Sequence, residues 1–197
     1  MSMKKTLILL FAMTLFTGCA TMFGIKDISQ FDQSKCDDFV AAVQEDDLSI
    51  HAVTSDAEHF ETYRSLVGDS LWRESISAQP VQILYFKDGS LVSYHINCTA
   101  KARFFNLDWN TDHRFETFPP TSAIELEERY QALSQLRKLY DISDNRPYLI
   151  VVFWSNMTPK IAKTAVETVK KNLRQYGNPN IADIVLINTD HYYLKYR

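Results

Sequence analysis

The residues able to do chemistry are few and widely spaced. Five histidines and three cysteines are scattered through 197 residues. Asp108-Trp109-Asn110-Thr111-Asp112 sets oxygen-bearing side chains at every second position, as a calcium loop begins. An EF-hand loop then needs glycine at its sixth place and a bidentate glutamate at its twelfth. His113 and Pro119 stand there instead, so the stretch reads as a polar loop with Asx turns and no metal is expected. Acid–base or nucleophilic catalysis needs a base within hydrogen-bond reach of its partner. His51 and His95 can meet across a sheet, with Asp108 or Asp112 as the carboxylate, although nothing in the spacing requires it. Strand alternation puts His95 and Cys98 on opposite faces, so they make no local Cys–His pair. GxSxG, HExxH and a glycine-rich phosphate loop are all absent. No cofactor is expected.

Residues 99–121 are the better candidate for a site. They carry Phe104, Phe105, Leu107, Trp109, Phe115 and Phe118 without a clean period, and end at Pro119-Pro120. Connections this long are often functional. Tryptophan and arginine concentrate at binding hot spots, which points to Trp109, Arg114, Phe115 and Phe118. The competing reading is that the rings plug the edge of the core.

Position within the fold decides between such readings. A helix opening at Ser34 places Cys36, Phe39, Val40 and Val43 on one face. Residues 48–54 alternate as a short strand. Ser55-Asp56-Ala57-Glu58 is a capping box for a helix burying Phe60, Tyr63 and Val67, with Gly68 as its stop; Leu71, Trp72 and Ile76 suggest further helical turns. Asp88-Gly89 between two strand-like runs is a strong type I′ hairpin signal. That turn fixes the register over 81–98, pairing Tyr85 with Val92, Ile83 with Tyr94 and Val81 with Ile96. Continuing the pleat brings Cys98 onto the same apolar face. Packing the Cys36 face there predicts a Cys36–Cys98 disulfide, worth about 4 kcal/mol in the chain-entropy account. Two separate buried thiols are the alternative.

Ser122-Ala123-Ile124-Glu125 caps a helix with Leu126, Tyr130, Leu133, Leu136 and Tyr140 on one stripe. Residues 148–154 are apolar without alternation, as in a strand covered on both faces. Thr158 and Pro159 start the next helix, whose stripe is Ala162, Ala165, Val166, Val169, Leu173 and Tyr176, ended by Gly177. Residues 181–187 form a second buried strand, parallel to the first by a right-handed crossover. Residues 191–197 read as a short polar-aromatic tail. The expected fold is therefore an α/β or α+β layered domain: a hairpin over 81–98, a β-α-β unit over 148–187, and helices packed on a mixed sheet.

The beginning of the chain reads differently. Lys4 and Lys5 precede a twelve-residue apolar stretch, Thr6 to Thr17, too short for the roughly 20 residues that span a bilayer and typical of a cleaved signal. Leu15-Phe16-Thr17-Gly18-Cys19 resembles the lipobox of bacterial lipoproteins. That resemblance implies cleavage after residue 18, acylation of Cys19 with three chains in a Gram-negative envelope, a lipidated tether over 19–33, and one globular domain over 34–197. Phe16 departs mildly, leucine being usual there. Ala20, where an aspartate retains lipoproteins at the inner membrane in enterobacteria-like sorting, favours the outer membrane. Two or more acyl chains hold firmly where one does not.

Removing Lys4 and Lys5 from 21 basic residues leaves 19 against 24 acidic ones, a net charge of −5. No basic run tracks phosphates, so nucleic acid is not an expected partner. The expected partners are the bilayer, through Cys19, and an envelope protein. The strand ending in Phe153-Trp154 before a helix resembles the opening of thioredoxin-like domains, in permuted order given the earlier hairpin. Ser155-Asn156-Met157 stands where redox cysteines are absent, so dithiol exchange is excluded. Two functions follow: a non-catalytic binding or assembly role, or an anchored enzyme using His51, His95, Asp108 and Asp112.

Overall fold

In a computed structural model, residues 25–67, 77–96, 108–126, 128–143 and 146–196 are described. The expected leader and Cys19, the helix stop expected at Gly68, the helical turns expected around Leu71–Ile76, and Cys98 lie outside them. The domain is an α/β layer structure around one five-stranded mixed sheet, in the order β1-β5-β4-β2-β3. The strands are β1 (Ser49–Thr54), β2 (Gln82–Lys87), β3 (Ser90–Ile96), β4 (Tyr148–Trp154) and β5 (Ala182–Asn188). β4 pairs with β5 in parallel, β5 with β1 in parallel, and β2 lies antiparallel to both β4 and β3.

β4, at the centre, is apolar throughout because both its faces are covered. One face packs against α1 (Gln33–Val43) and α4 (Pro159–Tyr176), with Ile150, Val152 and Trp154 of β4 among Val43, Val166 and Val169. The other meets α2 (Ala57–Val67), a 3₁₀ helix (Glu128–Gln135) running into α3 (Leu136–Leu139), and α5 (Asp190–Lys195). There Leu149, Val151 and Phe153 pack among Phe60, Tyr63 and Leu133. The expected tail is thus the short helix α5.

Several starts differ from the capping expectations, each because a nearer acceptor wins. Asp32, not Ser34, caps α1, accepting from the Lys35 amide. Asp56 accepts from the His59 amide at 2.6 Å, while Ser55 is buried and bonds the Tyr140 hydroxyl. Ser122 accepts from the Tyr94 amide and is drawn away from capping. The next helix therefore begins at Glu128 and in 3₁₀ form. Its buried residues Tyr130 and Leu133 lie three positions apart, the period of that helix, and Leu136 continues the row at the start of α3. Gly177 ends α4 with a negative φ; its need for glycine is contact, since a Cβ there would lie 2.8 Å from Phe118 Cγ.

The hairpin turn is as expected: Asp88 and Gly89 have φ of 47° and 81°. The register holds for Lys87↔Ser90 and Phe86↔Leu91, then slips at a bulge, giving Tyr85↔Ser93, Leu84↔Tyr94 and Ile83↔His95. The expected pairs Tyr85–Val92 and Ile83–Tyr94 are therefore wrong by one residue. The extra residue reverses the pleat beyond it. Tyr94 turns to the α2 face, where its hydroxyl and that of Tyr63 each donate to Gln82 Oε1 at 2.5 Å. Ser93 and His95 turn to the opposite face. The unbroken pleat that led to Cys98 does not exist.

Candidate functional site

Parallel strands end together, and in open α/β sheets ligands bind beyond their carboxyl ends. Here β1, β5 and β4 run into Ser55, Thr189-Asp190 and Ser155-Asn156. Asp190 is 2% exposed and gathers this edge. Its Oδ1 accepts from Ser155 Oγ at 2.6 Å and from the Asn156 amide at 2.9 Å. Its Oδ2 accepts from Asn156 Nδ2 at 2.7 Å. Ser155 Oγ also accepts from the Met157 amide, a local turn ahead of α4; Thr158, the expected cap, makes no side-chain cap bond.

The amino-terminal segment closes over this cluster. The Lys26 amide donates to the Met157 carbonyl at 2.6 Å, Phe31 stacks on His191 with centroids 4.2 Å apart, and Phe39 stacks on Trp154 at 3.9 Å. Cys36 is a free, buried thiol that accepts weakly from Asn156 Nδ2 at 3.5 Å. Burial first, and the nearby Asp190 charge second, push it up to about 11. A thiol so placed stays protonated at neutral pH and is a poor nucleophile. Its expected partner Cys98 lies outside the described residues.

Chemically this edge is a lock. Asp190 holds the donors of Ser155 and Asn156, Ser155 is fully buried, and the neighbouring imidazole of His191 is occupied in stacking; the Asn188 side-chain amide and the Thr158 hydroxyl are buried there without a partner among the described residues. A groove of about 410 Å³ beside it is lined by Asp56, Glu58, His191 and Lys195, with Lys195 paired to Glu58.

The expected catalytic set does not converge. His51 lies on β1 and His95 on β3, opposite edges of the sheet, four strand spacings or about 19 Å apart. They also face opposite layers. His51 sits near Asp183, whose Oδ1 accepts from Ser49 Oγ at 2.6 Å, while Ser49 Oγ and His51 Nε2 are 3.0 Å apart. A working Ser-His-Asp triad bridges serine and carboxylate through the two ring nitrogens. Here the serine bonds the carboxylate directly and one nitrogen faces both, at 3.0 Å and 4.0 Å. His95 is buried against Phe115 and bonded to Ser93. Asp108 and Asp112 are exposed on the loop; Asp108 accepts from the Asn110 amide as an Asx turn, and Asp112 pairs with Arg114.

The described part of the aromatic loop, 108–121, plugs the core rather than forming an exposed patch; Phe104, Phe105 and Leu107 lie outside the described residues. Trp109 and Phe115 are 8% and 4% exposed and belong to the α1–α4 core. Phe118 packs against that core, edge-on to Tyr85 and Tyr148. Arg114 donates to the Ser122 carbonyl, and Asn172 of α4 fastens the loop by donating to the carbonyls of Phe115 and Thr117. No group of three or more metal-ligating side chains occurs among the described residues.

A search of protein-family models, of curated proteins and of solved structures finds no match to this chain. The lock itself went unforeseen. Its signal was the sequence Asn188-Thr189-Asp190 directly after an apolar strand, which must abut Ser155-Asn156 once β4 and β5 are parallel.

Proposed function

We propose that this chain is an outer-membrane lipoprotein, held by acyl groups on Cys19, whose globular domain works by binding an envelope partner and not by catalysis. The observation that carries the binding half is the closed junction at 154–159. Ser155, Asn156 and Thr158 occupy the strand-to-helix turn where thioredoxin-like domains carry thiols, and Asp190 and α1 seal it. The layer arrangement supports that resemblance: a β-α-β unit whose first strand carries an antiparallel hairpin on its other side. The separation of His51 from His95 weighs against the anchored-enzyme reading. The lipid half rests on the lipobox; among the described residues no helix is long and apolar enough to cross a membrane.

Membrane fractionation with a labelled fatty acid tests the first half. Wild type is expected to label and sediment with outer membranes, and Cys19→Ser to do neither; an unlabelled wild type refutes the anchor. For the second half, chemical cross-linking in intact cells is expected to yield a discrete adduct with another envelope protein. A chain that never cross-links and turns over a substrate would overturn it.

A further inference from the structure

The two edges of the sheet are treated differently. β3 is latched: the Tyr94 amide donates to Ser122 Oγ and the Ala123 amide donates to the Tyr94 carbonyl. β1 is bare. Among the described residues only β5 pairs with it, and His51, Ala52 and Thr54 are exposed, so both sides of the strand reach solvent.

The direction of its free groups follows from one bond. The Ser55 amide donates inward to the Asn188 carbonyl at 2.9 Å. Amides alternate sides along an extended strand, so His51 and Val53 also point toward β5. Those of Ile50, Ala52 and Thr54 point outward, with their carbonyls. Soluble proteins protect such edges with lysine, proline or a bulge. Ser49-Ile50-His51-Ala52-Val53-Thr54 has none of these: no lysine, no proline and an unbroken register.

What surrounds the strand is acidic. Asp46 and Asp47 are exposed before it, and Asp56 and Glu58 after it. On the α3 face a cleft of about 160 Å³ opens beside His51 and Val53, with exposed Asp141 on its rim and Tyr140 in its wall. The nearby cations Arg146, Arg174 and Lys195 pair with Asp183, with Glu45 and Asp47, and with Glu58, which offsets those charges; Asp46, Asp141 and Asp56, the last beside His59, make up the acidic excess. This pattern decides the occupant. A second copy pairing antiparallel would bring Asp46 against the copy's Asp56, like charge on like. A strand bearing lysine or arginine meets opposite charge at both ends.

We infer that β1 is a docking edge, accepting an extended basic segment of a partner protein as a sixth strand. This rests on the binding role proposed above. Main-chain bonds to Ile50, Ala52 and Thr54 hold the segment, and its alternate side chains reach the Asp141 cleft.

The probe is an end-blocked Lys-Thr-Val-Lys-Val-Thr-Val-Lys peptide, titrated against the mature chain at low salt. Binding is expected, with slowed amide exchange at Ile50, Ala52 and Thr54. Affinity should fall about tenfold or more when each lysine is replaced by glutamate, and fall again as salt screens the rim. Ala52→Pro removes one outward donor and leaves the β1–β5 ladder, so it should keep its thermal transition and lose binding about tenfold. His51→Pro takes an inward donor and should melt lower. Equal affinity for both peptides, self-association through β1, or binding that leaves those three amides unprotected overturns the assignment. If it fails while a partner still cross-links elsewhere on the domain, only the edge is lost; if no partner cross-links anywhere, the binding role itself falls.

Discussion

His95 offers the sharpest test of the packing on the α1–α4 side. The bulge in β3 turns its ring inward, against Phe115 and 2.9 Å from Ser93 Oγ. Burial chiefly, and the Arg114 charge secondarily, push its pKa from the ordinary 6.5 down to about 3. The unfolded chain therefore binds a proton that the folded chain refuses. Stability contributed by the neutral ring is complete above pH 6.5 and falls as pH drops toward 3. Each pKa unit is worth about 1.4 kcal/mol. Going from pH 7.5 to pH 5.0 crosses 1.5 units below 6.5, so the cost at this one site is about 2 kcal/mol. His95→Gln keeps a polar partner for Ser93 and removes the titration. Urea unfolding at both pH values isolates the effect, because the other four histidines and the acids cancel in the comparison. Wild type should lose about 2 kcal/mol more than the variant on acidification, a midpoint difference of roughly 1 M for a typical denaturant slope. Parallel losses in the two proteins, or a His95 ring that titrates near 6.5 by NMR, would refute the buried neutral histidine.

Asp190→Ala strips acceptors from Ser155 and from both donors of Asn156, and is expected to cost about 2–4 kcal/mol in thermal or urea melts, since unsatisfied buried donors cost about 1–3 kcal/mol each and partly relax. Gly177→Ala forces a methyl into Phe118, and should cost about 1–3 kcal/mol with increased amide exchange in residues 115–118 first. Native protein exposed to iodoacetamide at pH 8 should leave Cys36 unmodified, while denaturation without reductant should expose it to labelling; a Cys36 that labels only after reduction would instead establish the bridge to Cys98.

Much of the layer plan was legible because it rests on patterns that few alternatives satisfy. An apolar run such as Tyr148–Trp154 is hard to place anywhere but the middle of a covered sheet, and Thr158-Pro159 marks a helix start. Asp88-Gly89 also declared its turn. The register beyond it was not legible, since nothing local distinguishes a regular pleat from one with an extra residue at Val92. The bulge is chosen by tertiary partners: Gln82 and Tyr63 for the Tyr94 hydroxyl, Phe115 for His95. Caps failed for the same reason, with Ser55 and Ser122 drawn off by Tyr140 and Tyr94. The candidate sites fared by geometry. Trp109 and Phe115 announce themselves as aromatic, but only α4, through Asn172, decides that they face inward. The separation of His51 from His95 follows from strand order, which spacing along the chain does not encode.

The contact between Lys26 and Met157 has a consequence for how the molecule would stand on a surface. It fixes the start of the domain at the carboxyl ends of β1, β5 and β4. Seven residue steps separate Lys26 from Cys19, no more than about 25 Å of extended chain. A lipid on Cys19 would therefore hold that end of the sheet toward the headgroups, strands upright, with the amino-terminal ends of β1, β5 and β4 pointing outward. The edge of β1 would rise from the bilayer like a rail, with Asp56 and Glu58 at its foot and Asp46 and Asp47 at its top.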